Sequence, residues 1–168
     1  RALGEHIFPR YVELKRRAHA WADAPGLEAE EDPRALVHKL AEAGFLRACV
    51  PAAYGGLRER GELRALVVLR AALGYRPSLL DTLVSMQGLG SYPVTLAGSE
   101  TQKQTLLPRV ARGEAICALA ITDPEAGPDV SAVSTRAVAG GDPYLHKGDQ
   151  GLHSEAALDP SHWVISRP

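Results

Sequence analysis

The residue pattern of this chain changes at Gly113. Before it, apolar residues recur at helical spacing between Gly and Pro breaks. After it come short apolar or alternating runs of strand length. An all-helical unit followed by a β unit implies an α+β fold or two domains. The boundary is set near Gly113, giving a helical domain over residues 1–113 and an incomplete, mostly antiparallel β domain over 114–168.

The helical part is punctuated clearly. A mixed apolar and charged helix is expected from about His6 to Ala24, with the basic run Lys15, Arg16, Arg17 on a solvated face. Asp32 as N-cap, Pro33 at the first position and Gly44 just past the end bound the next helix. Leu36, Val37, Leu40 and Ala41 mark its buried face. "VPAAYGGL" (residues 50–57) follows as a loop. A third helix runs from about Glu62 to Leu73, stopped by Gly74, with Pro77 three residues on. A fourth starts with Ser78 as cap and turns Leu79, Leu80, Leu83 and Val84 inward. "MQGLGSYPV" (86–94) is weaker helix, where Gly88 and Gly90 leave room for a close approach. Residues 86–91 line a ligand pocket or make a tight helix contact, and the residues alone do not choose. Ser99 and Gln102 match a capping box, Pro108 is expected to kink or restart the segment, and Gly113 closes it.

Beyond Gly113, "AICALAI" (115–121), "SAVSTRAVA" (131–139) and "SHWVISR" (161–167) read as strands. "GGDP" reads as a turn and "YLHKGDQGLHS" as a hairpin about Lys147 and Gly148. The chain stops after a strand, so the sheet is expected to miss a C-terminal part or to need a partner over its edge.

Composition excludes several classes. The formal net charge of −1 gives no basic field for nucleic acid or anionic lipid, and no apolar run is long enough to span a bilayer. The N-terminus lacks the apolar core of a signal peptide, so a soluble, cytoplasmic protein is expected. Cys49 and Cys117 are read as two buried free thiols. His146 and His153 fall on opposite faces of a strand and have no companion ligands, so no metal site is assigned. Neither a Ser/His/Asp or Cys/His arrangement nor a phosphate loop is present. Asp123, Glu125 and Asp129 read as a solvated turn.

Three blocks in order carry a family resemblance. They are "LAEAGFLRACVPAAYGGL" (40–57), "GSETQKQTLLPRVARGE" (98–114) and "ALAITDPEAGPDVS" (118–131). The chain resembles the acyl-CoA dehydrogenase family, whose members follow a helix with Pro and Tyr-Gly-Gly, then Gly-x-x-x-Gln-Lys, then Thr-Glu-Pro-x-Ala-Gly-Ser-Asp. The resemblance implies a helical N-terminal domain, a middle β domain and a C-terminal helical domain, in an FAD-dependent oxidoreductase of fatty acid metabolism. In such enzymes a glutamate removes the α-proton of an acyl-CoA thioester and the β-hydrogen leaves as hydride to the flavin. Electrons pass to electron-transfer flavoprotein, and homo- or hetero-oligomers are expected. The usual position of the base falls beyond Pro168, so no catalytic residue is assigned and the chain alone is expected to be inactive.

Carried over residue by residue, the resemblance gives FAD contacts at Leu119, Ile121, Thr122, Gly127 and Ser154, with Pro128 at a cofactor- or substrate-facing position. Thr122 is either a flavin contact or a turn cap, and Asp129 fixes the turn. Two departures weaken this site. Pro128 replaces a Ser whose hydroxyl and N–H the family uses, and proline offers neither. In "LHKGDQGLHS" the flavin-covering aromatic is absent: an insertion at Lys147 places Leu152 and Ser154 in the aromatic and Thr/Ser positions, and no insertion places Gly151 and His153 there. A non-catalytic, FAD-poor or FAD-free homologue serving as subunit or scaffold is therefore the alternative.

Overall fold

The computed structural model describes residues 11–25, 27, 32–75, 79–119, 129, 131, 136–139 and 163–166. It divides into two compact units, Arg1–Leu119 and Ala120–Pro168.

In the first unit, α1 (Val12–Ala22) follows Tyr11. The basic run on it is only partly a solvated face. Arg16 pairs with Glu13 at 2.9 Å in solvent, but Arg17 donates to the Ala43 carbonyl at 3.2 Å and sets its guanidinium 5.9 Å from the Phe45 ring centre. Helix α2 (Pro33–Glu42) has the bounds its sequence announces. Asp32 accepts from the Arg34 N–H, and Gly44 turns left-handed at φ 77°. Leu36, Val37 and Leu40 are buried. Two short 3-10 turns follow, Phe45–Ala48 and Ala52–Tyr54, so the expected loop has helical turns of its own. Gly56 is required there: a Cβ would fall 1.8 Å from the Val50 carbonyl oxygen.

Helix α3 (Leu63–Leu73) ends at Gly74, and α4 (Leu80–Ala97) runs past Gly88, Gly90 and Pro93 without a break. The weak stretch at 86–94 is thus the continuation of one long helix. Tertiary packing holds it, since α4 meets α2, α3, the Phe45–Ala48 turn and α5. Its buried stripe is Leu80, Val84, Gln87, Gly88 and Ser91, at spacings of four, three, one and three. Leu79, expected inward, occupies the N-cap position and is 46% exposed, because the buried face begins one residue later. Ser78, the expected cap, lies outside the described residues. Arg70 and Asp81 tie α3 to α4 with two hydrogen bonds, at 2.7 and 3.3 Å.

Helix α5 (Glu100–Ala111) carries the capping box in full: the Ser99 hydroxyl accepts from the Gln102 N–H and the Gln102 side chain from the Ser99 N–H. Pro108 does not restart it, and the helix reaches Ala111 before Gly113 closes the segment at φ 71°. No described helix is long and apolar enough to cross a membrane.

Two strands are described in the second unit, β1 (Arg136–Ala139) and β2 (Trp163–Ser166). They pair antiparallel with Arg136 opposite Ser166 and Ala139 opposite Trp163. These are parts of two runs expected to be strands. The "GGDP" turn and the hairpin about Lys147 lie outside the described residues.

Candidate functional site

The expected strand over residues 115–121 has a different partner from the one its pattern suggests. Its described part, 115–119, carries no strand assignment. A side chain on α4 does the pairing instead. Gln87 is 1% exposed, donates from Nε2 to the Ala115 carbonyl at 2.9 Å, and accepts at Oε1 from the Cys117 N–H at 2.6 Å. Those two backbone groups flank Ile116. A neighbouring parallel strand would use the same pair, with one donor and one acceptor straddling a residue. The primary amide thus stands in for a peptide group, and the carbonyl and N–H it meets fix which of its atoms faces which.

The segment also lies on bare backbone. A Cβ added at Gly90 would stand 2.7 Å from the Cys117 Cβ and 2.9 Å from both the N and the O of Ala118. Gly88 faces the other way, toward the Leu66 side chain of α3, where a Cβ would come within 3.0 Å. Both glycines therefore serve close approaches, Gly88 to a helix and Gly90 to the departing chain. Ser91 completes the seat: its hydroxyl lies 2.7 Å from the Gln87 carbonyl and 3.3 Å from that of Cys49. Among the described residues, no buried side-chain nitrogen or oxygen lacks a partner.

Two free thiols border this seat. Cys49 is buried, with its Sγ 3.9 Å from the Val84 carbonyl; Cys117 is half-buried. Burial, and secondarily the Cys117 thiol, push the Cys49 thiol up to about 12, and burial pushes Cys117 up as well. Neither is activated as a nucleophile.

Of the residues assigned to FAD, Leu119 is described. It ends the seated segment and is 40% exposed, so its side chain is accessible to a ligand. Ile121, Thr122, Gly127, Pro128 and Ser154 lie outside the described residues. Asp129 accepts from both the N–H (3.0 Å) and the hydroxyl (2.6 Å) of Ser131, the local turn-fixing role expected of it. Those bonds, the hydroxyl's first, hold the Asp129 carboxyl below its ordinary pKa. No group of three or more His, Cys, Asp or Glu among the described residues is arranged to hold a metal ion.

Sequence reasoning missed Gln87. The available signal was a polar residue on the stripe shared by Leu80, Val84 and Ser91, because a buried amide must find partners. The two outer sequence blocks of the helical unit also meet. Tyr54 donates its phenolic hydrogen to Glu100 at 3.0 Å, and Glu100 pairs with Lys103 at 3.2 Å.

Residues 12–114 match the family model described as acyl-CoA dehydrogenase, N-terminal domain. A 3-(aryl)acrylate reductase of Clostridium sporogenes is 34% identical over 138 residues, 82% of this chain and 36% of the relative. A glutaryl-CoA dehydrogenase of Desulfococcus multivorans is 33% identical over 123 residues, 72% of this chain and 31% of the relative. Among solved structures, an acyl-CoA dehydrogenase complexed with FAD from Bacillus anthracis aligns with a TM-score of 0.57 and 29% identity, covering 75% of this chain and 23% of that one. The chain spans about a third of the length of these curated relatives.

Proposed function

This chain belongs to the acyl-CoA dehydrogenase family, and from that premise we propose that it supplies the helical domain and part of the β domain of an FAD-dependent oxidoreductase acting on the Cα–Cβ bond of an acyl-CoA thioester. The carrying observation is the seat on α4. Gln87 and Gly90 hold residues 115–118 against the helix, and Leu119, the first residue assigned to the flavin, follows directly and is accessible. When bound, FAD would supply a two-electron acceptor for the β-hydrogen. The chain's own part would be to bind and orient it, with Thr122 assigned by its residue type to donate from its hydroxyl and N–H to the polar edge of the ring. Electron-transfer flavoprotein as electron partner and an oligomeric assembly belong to the same reading. The domain division proposed is 1–113 and 114–168.

The test is anaerobic. Because the family's usual base is not among residues 1–168, the assay joins this chain to a C-terminal domain that supplies it; saturated acyl-CoA thioesters added to the flavin-loaded assembly should bleach the visible absorbance band of the oxidised flavin. A band that persists with every acyl chain tried contradicts the oxidation.

A second reading, a non-catalytic relative with weak or no FAD binding, rests on Pro128. Two donors are absent there, each worth about 1.5–3 kcal/mol to a charged group. Protein that is yellow after gel filtration excludes this reading; colourless protein that takes up no added FAD favours it.

A further inference from the structure

We infer that Gln87 is a positioning residue for the flavin. By standing in for a missing strand neighbour, it sets the position of the backbone that carries Leu119. The inference rests on the flavin reading above and adds to it a residue that lies outside the three family blocks.

The sequence makes residues 115–119 apolar and leaves them without a described strand partner. An unpaired apolar backbone would slide or fray. Three features of α4 prevent this. Gln87 reads the carbonyl of Ala115 and the N–H of Cys117, so a shift by one residue would offer it groups pointing the other way. Gly90, one turn along, admits the Cys117 Cβ and the Ala118 backbone to contact distance. Ser91 binds the carbonyl of Gln87 itself and so braces the helix backbone beneath the clamp. Gln87 touches neither cofactor nor substrate in this account. It acts through the two peptide groups it holds, and Leu119 lies two residues past Cys117, within reach of any change in their register.

The length of the side chain is part of the device. Asparagine, one methylene shorter, would not span both groups. Glutamate keeps the acceptor for the Cys117 N–H and loses the donor to Ala115. Methionine keeps the volume and loses both bonds.

The experiment uses the purified protein, its Gln87→Met variant and its Gln87→Glu variant, each confirmed folded by circular dichroism well below its melting point. Two quantities are read: amide hydrogen exchange at Cys117 and the dissociation constant for FAD from flavin fluorescence quenching. We expect exchange at Cys117 to be protected in the parent, at least tenfold faster in Gln87→Met, and intermediate in Gln87→Glu. FAD affinity should fall about tenfold in Gln87→Met, with partial recovery in Gln87→Glu. A merely structural glutamine would change the melting point and leave the FAD constant of the folded variant alone, which would overturn the positioning role while leaving the flavin reading intact. Unchanged exchange at Cys117 in Gln87→Met would overturn the clamp itself. A parent protein that binds no FAD, with exchange still responding to Gln87, would remove the flavin reading and the positioning role with it. If Gln87→Met does not fold, Gln87→Glu is judged by the same two readings.

Discussion

Gly90 of α4 and Cys117 of the departing segment approach so closely that a Cβ on the glycine would lie 2.7 Å from the Cβ of the cysteine. The backbone of Ala118 is the next neighbour, at 2.9 Å, and backbone does not give way as a side-chain tip does. Gly90→Ala should therefore destabilise the protein by about 1–3 kcal/mol, the usual cost of overpacking. Gly88→Ala meets the end of the Leu66 side chain at 3.0 Å instead. There the gain in helix propensity of about 1 kcal/mol offsets much of the strain. Urea unfolding of the two variants should separate them in that order; equal losses would contradict the seat.

The capping box gives a second, local expectation. Ser99→Ala removes the acceptor for the Gln102 N–H at the start of α5. A loss of about 1 kcal/mol is expected in thermal or chemical unfolding. Gln102→Ala should cost less, because the Ser99 N–H it frees is exposed to water.

Tyr54 and Glu100 join the Tyr-Gly-Gly turn to the first turn of α5. The hydrogen bond from Tyr54, and then that from Lys103, hold the Glu100 carboxyl below its ordinary range, while the same bond raises Tyr54. A depressed carboxylate stabilises the fold above its unfolded-state value, and that contribution is lost as pH falls through the folded one. Tyr54→Phe should move Glu100 back up toward the ordinary value, read by NMR titration of its side chain, and should reduce the acid-range pH dependence of stability.

The Cys49 thiol, pushed up to about 12 by burial, gives the opposite limb. A raised acid favours the folded state below its ordinary value of 9.0, and the advantage disappears as pH rises toward about 12. The stability of the parent should fall more steeply with pH in that alkaline window than that of Cys49→Ala. At neutral pH, iodoacetamide should modify the half-buried Cys117 slowly and Cys49 only after unfolding.

Much of the helical unit is legible because its ends are chemically marked. Asp32, Pro33 and Gly44 bracket α2, and Ser99 with Gln102 opens α5, each by a hydrogen bond local to the sequence. What is not legible depends on distant neighbours. The unbroken α4 passes Pro93 because helices on several sides hold it, and no window of residues 86–94 contains that information. Residues 115–119 have the apolar pattern of a strand, but their hydrogen-bonding partner is one glutamine about thirty residues back. For the same reason Arg17 looked like part of a solvated face: Ala43 and Phe45, which it binds, belong to the next part of the chain. Of the assigned cofactor residues, Leu119 is within the described part, where it is 40% exposed.

Pro128 offers a gain-of-function check on the cofactor assignment. Restoring the family residue with Pro128→Ser returns a hydroxyl and an N–H, and FAD affinity should rise at least tenfold, since one hydrogen bond to a charged group contributes about 1.5–3 kcal/mol. No gain on titration would mean that the missing donors do not limit binding.

The most direct measurement is FAD titration of the purified protein followed by flavin fluorescence, with the stoichiometry read after gel filtration. Saturable quenching is expected, with flavin co-eluting at about one FAD per chain. Fluorescence that stays at the level of free FAD, with colourless protein in the eluate, would contradict the cofactor assignment.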